Sequence, residues 1–185
     1  MNILYKEIEN RRNVMVDIET LGRKPGFIIL SVALVEFDIK TGKILKTLEK
    51  NLSLAESLKK DFKIDSDTLK WWLKQDPTLF RAMLEIPSYS IEDTLDEIIF
   101  FVKDGSPAFV WANSPSFDLS MLESYFDRYG KKTPWNYTHE MDLRTISNLN
   151  PSIRKGIKKE NKDVLHDPLE DCKIQIETLK QIFYE

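Results

Sequence analysis

Asp17 and Glu19 stand two residues apart in "NVMVDIETLG" (13–22), at the end of a run whose Val14, Met15 and Val16 suit a buried strand. Side chains two apart in extended backbone share a face, so both carboxylates point the same way. Dehydrating either charge costs several kcal/mol unless something compensates. Paired carboxylates share a proton or a cation, and oxygen-only ligands suit Mg²⁺ or Mn²⁺ better than zinc. The plainer alternative is an acidic strand end in solvent, and D-x-E alone does not decide between the two.

A second acid, Asp118, lies in "WANSPSFDLSMLESYF". Ser114 reads as a helix N-cap and Pro115 as the first helical residue. Asp118 then shares a face with Met121, Leu122 and Tyr125, on the apolar stripe rather than opposite it. The helix dipole favours a first-turn acid by under about 1 kcal/mol, but does not explain one aimed inward. In "LHDPLEDCKIQIETL", Asp167 and Glu170 are spaced as a capping box, with Pro168 at the first helical position. His166 and Asp171 then occupy the two positions of a hydrophobic staple. An imidazole and a carboxylate placed there are candidates for proton transfer. Leu169, Cys172, Ile176, Leu179 and Phe183 form the core-facing stripe, which makes Cys172 a core residue rather than a nucleophile. His139 reads as ordinary loop, with Asp142 as the N-cap of the segment that follows.

The elements that must position these groups follow from patterning. Strands are predicted at 14–19, 27–38 and 43–54, and "DIKTGK" supplies a Gly-containing hairpin between the last two. So short a connection implies antiparallel pairing. Helices follow in "DSDTLKWWLKQ", in "DPTLFRAMLE" with Asp76 as N-cap and Pro77 first, and in "SIEDTLDEIIFFVKD" with apolar residues on one face. A short strand at 108–112 precedes a helix from Pro115 to Tyr129, a short helix in "MDLRTISNL" and a closing helix from Pro168 to about Tyr184. The predicted fold class is α/β: a ribonuclease H-like mixed sheet, three antiparallel strands then parallel strands, flanked by helices on both faces.

Composition sets wider bounds. The 185 residues are read as one domain (1–185), with 42% apolar and 31% charged side chains, which argues against disorder. The longest apolar stretch, "FIILSVALVEF", falls short of the roughly 20 residues that span a bilayer. The N-terminal stretch lacks a secretory cleavage pattern, and Cys172 cannot form an intrachain disulfide, so a cytoplasmic location is expected. A net charge of −3 does not itself suggest a nucleic-acid partner. Residues 154–162, "RKGIKKENK", nevertheless carry five basic side chains against one acid, either as a solvated loop or as a surface for an anion.

Taken together, D-x-E on the first strand, F-D on a mid-chain helix and H-x4-D on the last resemble the DEDDh (DnaQ-like) 3′–5′ exonucleases. That group includes proofreading exonuclease domains, ribonuclease T and oligoribonuclease, and the resemblance covers nearly the full chain. "DIETLG", "IDSDTLKWWLKQ", "VWANSPSFDL" and "MDLRT" are most similar to the small phage-type and exonuclease VIII-like branch. The resemblance implies a metal-dependent 3′–5′ exonuclease that releases nucleoside 5′-monophosphates from single strands. Its catalytic residues would be Asp17, Glu19, Asp118, His166 and Asp171, with two Mg²⁺ or Mn²⁺ ions about 3.5–4 Å apart. Asp17 would bridge both ions, Glu19 and Asp171 would complete one of them, and Asp118 would act directly or through water. His166 would take the proton of the attacking water.

Substrate contacts are expected at Leu21 and Gly22, where backbone can approach a nucleotide. Phe117 could face a base, although a core role is favoured for it. Arg154, Lys155, Lys158 and Lys159, with Arg23 and Lys24, would track the phosphate backbone. Trp71 and Trp72 cannot share a helical face, so one is core and the other is free to stack a base or cover a partner. The implied partners are single-stranded DNA or RNA 3′ ends, without a membrane and with a homodimer left open. The alternative is a non-catalytic nucleic-acid-binding or assembly domain on the same fold, which the presence of all five residues weighs against.

Overall fold

Strand β1 (Arg12–Thr20) lies at the centre of a five-stranded sheet in the order β3-β2-β1-β4-β5. Its partners are β2 (Ile29–Phe37), β3 (Ile44–Asn51), β4 (Ala108–Ala112) and β5 (Glu140–Asp142). The computed structural model describes residues 3–85, 88–153 and 166–184. β1–β2 and β2–β3 pair antiparallel, while β1–β4 and β4–β5 pair parallel, so the mixed sheet has the predicted layout. The hairpin fixes the antiparallel half. The Gly42 N–H donates to the Asp38 carbonyl at 2.9 Å, and Gly42 sits at φ +70, where a side chain would be strained.

Helices α1 (Ile3–Glu9), α2 (Leu54–Lys59), α3 (Ser66–Trp72), α4 (Pro77–Glu85) and α5 (Ile91–Lys103) surround the antiparallel half and reach β4. After β4 come α6 (Asp118–Arg128), a 3₁₀ turn at Tyr137–His139, β5, α7 (Leu143–Leu149) and α8 (Pro168–Tyr184). Several of these elements differ from expectation. The third strand stops at Asn51, because Ser53 accepts the Glu56 N–H at 3.2 Å and starts α2. The mid-chain helix begins at Asp118 rather than Pro115, residues 115–117 forming a turn in which Ser114 offers its carbonyl to the Phe117 and Asp118 N–H groups. The three-residue β5 and α1 had no counterpart in the sequence reading.

Alternation along β1 decides where the acids go. Val14, Val16 and Ile18 face one core with Leu95, Ile98, Leu122 and Tyr125. Met15 faces the other, with Cys172, Ile176 and Leu179 of α8 and Leu143 of α7. Asp17 and Glu19 follow Met15 at steps of two, so they emerge on the face that α8 crosses. β4 ends early: its pairing with β1 runs only from Arg12–Ala108 to Met15–Trp111. The β4 side of β1 beyond Met15 is thus left for the start of α6, where Asp118 stands.

Candidate active site

Asp118 is 3% exposed, and its helix neighbours Met121, Leu122 and Tyr125 are fully buried, so the acid does lie on the inward stripe. Burial pushes its carboxyl up to about 8, and the Glu19 charge adds to this, against the backbone N–H groups of Asp118 and Ile18 and the charge of Arg144. Asp17 is raised well above the usual carboxylate range, first by burial and then by the charges of Asp118, Glu19 and Asp171. Only a hydrogen bond from Gln175 opposes this. Glu19 is raised by burial as well. The pairing of β1 with β2 slips between Glu19 and Thr20, a bulge that ends the regular strand at the acids.

α8 brings the remaining two groups. Asp167 caps it, accepting the Leu169 and Glu170 N–H groups at 3.0 Å, with Pro168 as the first helical residue. The reciprocal half of the expected capping box is absent, because Glu170 bonds Lys173 instead. His166 adopts φ +78, rare for a residue with a side chain. The staple pairing also differs from a direct imidazole–carboxylate contact. The Asp171 carboxylate accepts the His166 backbone N–H at 3.1 Å, while the imidazole Nδ1 lies 3.7 Å from Glu19 Oε1. Glu19 is the main cause of a raised His166 pKa, with burial opposing it and Asp171 adding to it. Asp171 is pushed up to about 6, chiefly by burial. One ligand atom from each of Glu19, His166 and Asp171 lies within 4.8 Å of the other two.

At the end of β1, Glu19, His166 and Asp171 thus lie within ligand reach of one another, and Asp17 and Asp118 join them through the charges that act between these acids. Carboxylates crowded this way hold protons unless a cation joins them, and the donor set is hard oxygen plus one imidazole. That chemistry fits Mg²⁺ or Mn²⁺. Cys172 is fully buried on the apolar stripe and its thiol is pushed far up by burial and by Asp17, so it is no nucleophile.

Around this cluster, α3 divides its two tryptophans as their spacing requires. Trp72 is 1% exposed and its indole donates to the Thr20 carbonyl at 2.9 Å, tying α3 to the end of β1. Trp71 is 40% exposed, with its ring perpendicular to that of His166 at 4.7 Å. Arg23, Asp67, Thr68 and Trp71 line a cleft of about 400 Å³. Nothing in the sequence ties Trp71 to His166, since the contact depends on where α8 starts. Leu21 is buried, its N–H bonded to the Ile28 carbonyl and its carbonyl accepting the Asp65 N–H. Phe117 is half-buried and packs against the main core, in line with the core role favoured for it. Arg154, Lys155, Lys158 and Lys159 lie outside the described residues.

Gly22 has a packing reason of its own, because a Cβ there would collide with the Phe27 ring. Gly22→Ala should destabilise the fold by roughly 1–3 kcal/mol, as overpacked substitutions do, which urea unfolding would measure.

The fold is thus a mixed α/β sheet that gathers acids and an imidazole at the end of its central strand. Residues 12–183 match the 3′-5′ exoribonuclease Rv2179c-like domain, and the chain belongs to that family. The DEDDh resemblance read from the sequence agrees with this. No curated protein matches the chain by sequence. Among solved structures, it is similar to E. coli exonuclease I in complex with a 5cy-dA13 oligonucleotide (TM-score 0.66, 14% identity, 92% of this chain and 40% of that one). It is also similar to cell-death related nuclease 4 (TM-score 0.61, 14% identity, 94% and 64%). A third is exonuclease X in complex with 5′ overhanging duplex DNA (TM-score 0.55, 21% identity, 91% and 89%). The chain thus spans about 40% of the length of exonuclease I. Among the described residues, no helix is long and apolar enough to cross a membrane.

Proposed function

We propose that this chain is a divalent-metal-dependent 3′–5′ exonuclease that hydrolyses the terminal phosphodiester of single-stranded nucleic acid and releases nucleoside 5′-monophosphates. The observation that carries this reading is the convergence of Asp17, Glu19, Asp118 and Asp171, all with raised pKa values, beside His166. Two Mg²⁺ or Mn²⁺ ions held by these carboxylates would polarise the phosphate and stabilise both the attacking and the leaving oxygen.

Every other step belongs to the chain's own groups. Asp17, on β1 at the centre of the cluster, and Asp118, from the start of α6, would supply two of the acids. Glu19 faces Nδ1 of His166 and keeps a proton there, which leaves Nε2 to accept the proton of the attacking water. Cations held by Glu19 and Asp171 would offset the charges that raise the His166 pKa, which would favour the neutral ring that a base needs. Leu21 and Gly22, both buried, would form the wall beside the terminal nucleotide.

Trp71 offers a base-stacking face next to His166, with Arg23 in the same cleft as a phosphate partner. Trp71→Ala should raise KM for an oligonucleotide about 5- to 100-fold, the worth of one stacked base, with a smaller change in kcat. Steady-state kinetics on a short labelled strand checks this.

The family's description makes RNA the first polymer to try, whereas exonuclease I and exonuclease X were solved with DNA. The test incubates 3′- and 5′-labelled single strands of both polymers with the protein and Mg²⁺. Loss of the 3′ label as mononucleotide, suppressed by EDTA, is the expected result. Internal cuts, removal of the 5′ label first, or no hydrolysis of either polymer would overturn the reading.

A further inference from the structure

Gln175 lies one helical turn beyond Asp171, on the face of α8 turned toward the sheet. It is 7% exposed, and its Nε2 donates to Asp17 Oδ1 at 2.7 Å. The other half of the same amide, Oε1, is buried without a hydrogen-bond partner. Leaving a buried acceptor unpaired is destabilising. Its neighbours Cys172, Ile176 and Leu179 are apolar, so a leucine or methionine would satisfy packing at this position better than an amide does. Packing therefore does not explain Gln175. Its single good interaction is with the most crowded acid of the site.

That interaction has three physical consequences. The bond turns Oδ1 of Asp17 back toward α8 and leaves Oδ2 for whatever occupies the cluster. It also fixes the amide, since a flipped side chain would set Oε1 against a carboxylate. Finally, it supplies a donor without supplying charge. A lysine or arginine here would neutralise Asp17 and repel a cation, whereas an amide favours the ionised carboxylate and leaves the negative field intact.

We propose that Gln175 is a positioning residue that sets the orientation of Asp17 for divalent-cation binding. This deepens the proposed function and rests on it. Residues behind metal ligands commonly change affinity by about 10- to 100-fold when they are replaced.

The test titrates the full chain with Mn²⁺ alone in a calorimeter, using wild type, Gln175→Leu and the near-isosteric Gln175→Met. Both variants should bind Mn²⁺ about 10- to 100-fold more weakly. Their melting temperatures in EDTA should stay near that of wild type, because the orphaned carbonyl is gone while Asp17 Oδ1 loses its donor. Hydrolysis should recover as Mn²⁺ is raised, with KM for the oligonucleotide unchanged. A residue that merely docks α8 on the sheet would instead lower the melting temperature in EDTA and leave Mn²⁺ affinity alone. That outcome, or wild-type affinity in either folded variant, overturns the inference while the metal site stands. If wild type itself takes up no Mn²⁺, the proposed function fails and takes this inference with it.

Discussion

Asp17→Asn should lower hydrolysis of a 3′-labelled single strand by about 10³-fold or more, the worth of several kcal/mol of lost charge stabilisation in the transition state. Asp17 is the centre of the cluster, since the charges of Asp118, Glu19 and Asp171 all bear on it. Asparagine keeps the shape of the side chain and keeps an oxygen for the Gln175 amide, so the local geometry survives. It removes one negative charge from a crowded site, so the variant should melt no lower than wild type in EDTA. Circular dichroism and a labelled-strand assay on one preparation separate lost chemistry from lost folding. A folded Asp17→Asn protein with wild-type turnover would mean that the acid cluster is not where the reaction occurs.

The second large effect is on stability in the absence of metal. In an unfolded chain Asp, Glu and His titrate near about 3.9, 4.3 and 6.5. In the folded protein Asp171 rises to about 6, Asp118 to about 8, Asp17 and Glu19 also rise, and His166 rises from its own ordinary value. A group whose folded pKa is raised stabilises the fold below its unfolded value, and that contribution disappears as pH climbs through the folded value. Acids and imidazole therefore act in the same direction. In EDTA the protein should be most stable near the acidic side and weaken across the span from about 4 to about 8 set by Asp171 and Asp118. A drop on the order of 10 °C in melting temperature between about pH 5 and about pH 8.5 is expected. Millimolar Mn²⁺ should remove most of it, since a ligand that binds only the folded state stabilises by mass action. Asp118→Asn should flatten the EDTA profile at its alkaline end. A melting temperature that rises with pH in EDTA would contradict the electrostatics described for the site.

Much of this site was legible in the sequence because it depends on short periods. The step of two along β1 put Asp17 and Glu19 together, and the steps of three and four put Asp118 on the inward stripe of α6. Asp167 and Pro168 marked the start of α8, which placed His166 and Asp171 at its first turn. What escaped depends on long-range docking. The imidazole meets Glu19 rather than the Asp171 side chain because α8 lies across β1, and no local pattern encodes that crossing. Trp71 beside His166 and Gln175 against Asp17 are contacts of the same kind, spanning 95 and 158 positions. Helix α2 has a local signal, since Ser53 followed by Glu56 is a capping spacing that lies where a third strand over 43–54 is expected. β5 has three residues, too few for an alternating pattern.

Anomalous diffraction from crystals grown with Mn²⁺ interrogates the cage itself. A pair of peaks is expected, ringed by the carboxylates of Asp17, Glu19, Asp118 and Asp171, about 3.5–4 Å from each other, with the His166 ring alongside. Crystals saturated with Mn²⁺ that show no density among those side chains would contradict that arrangement.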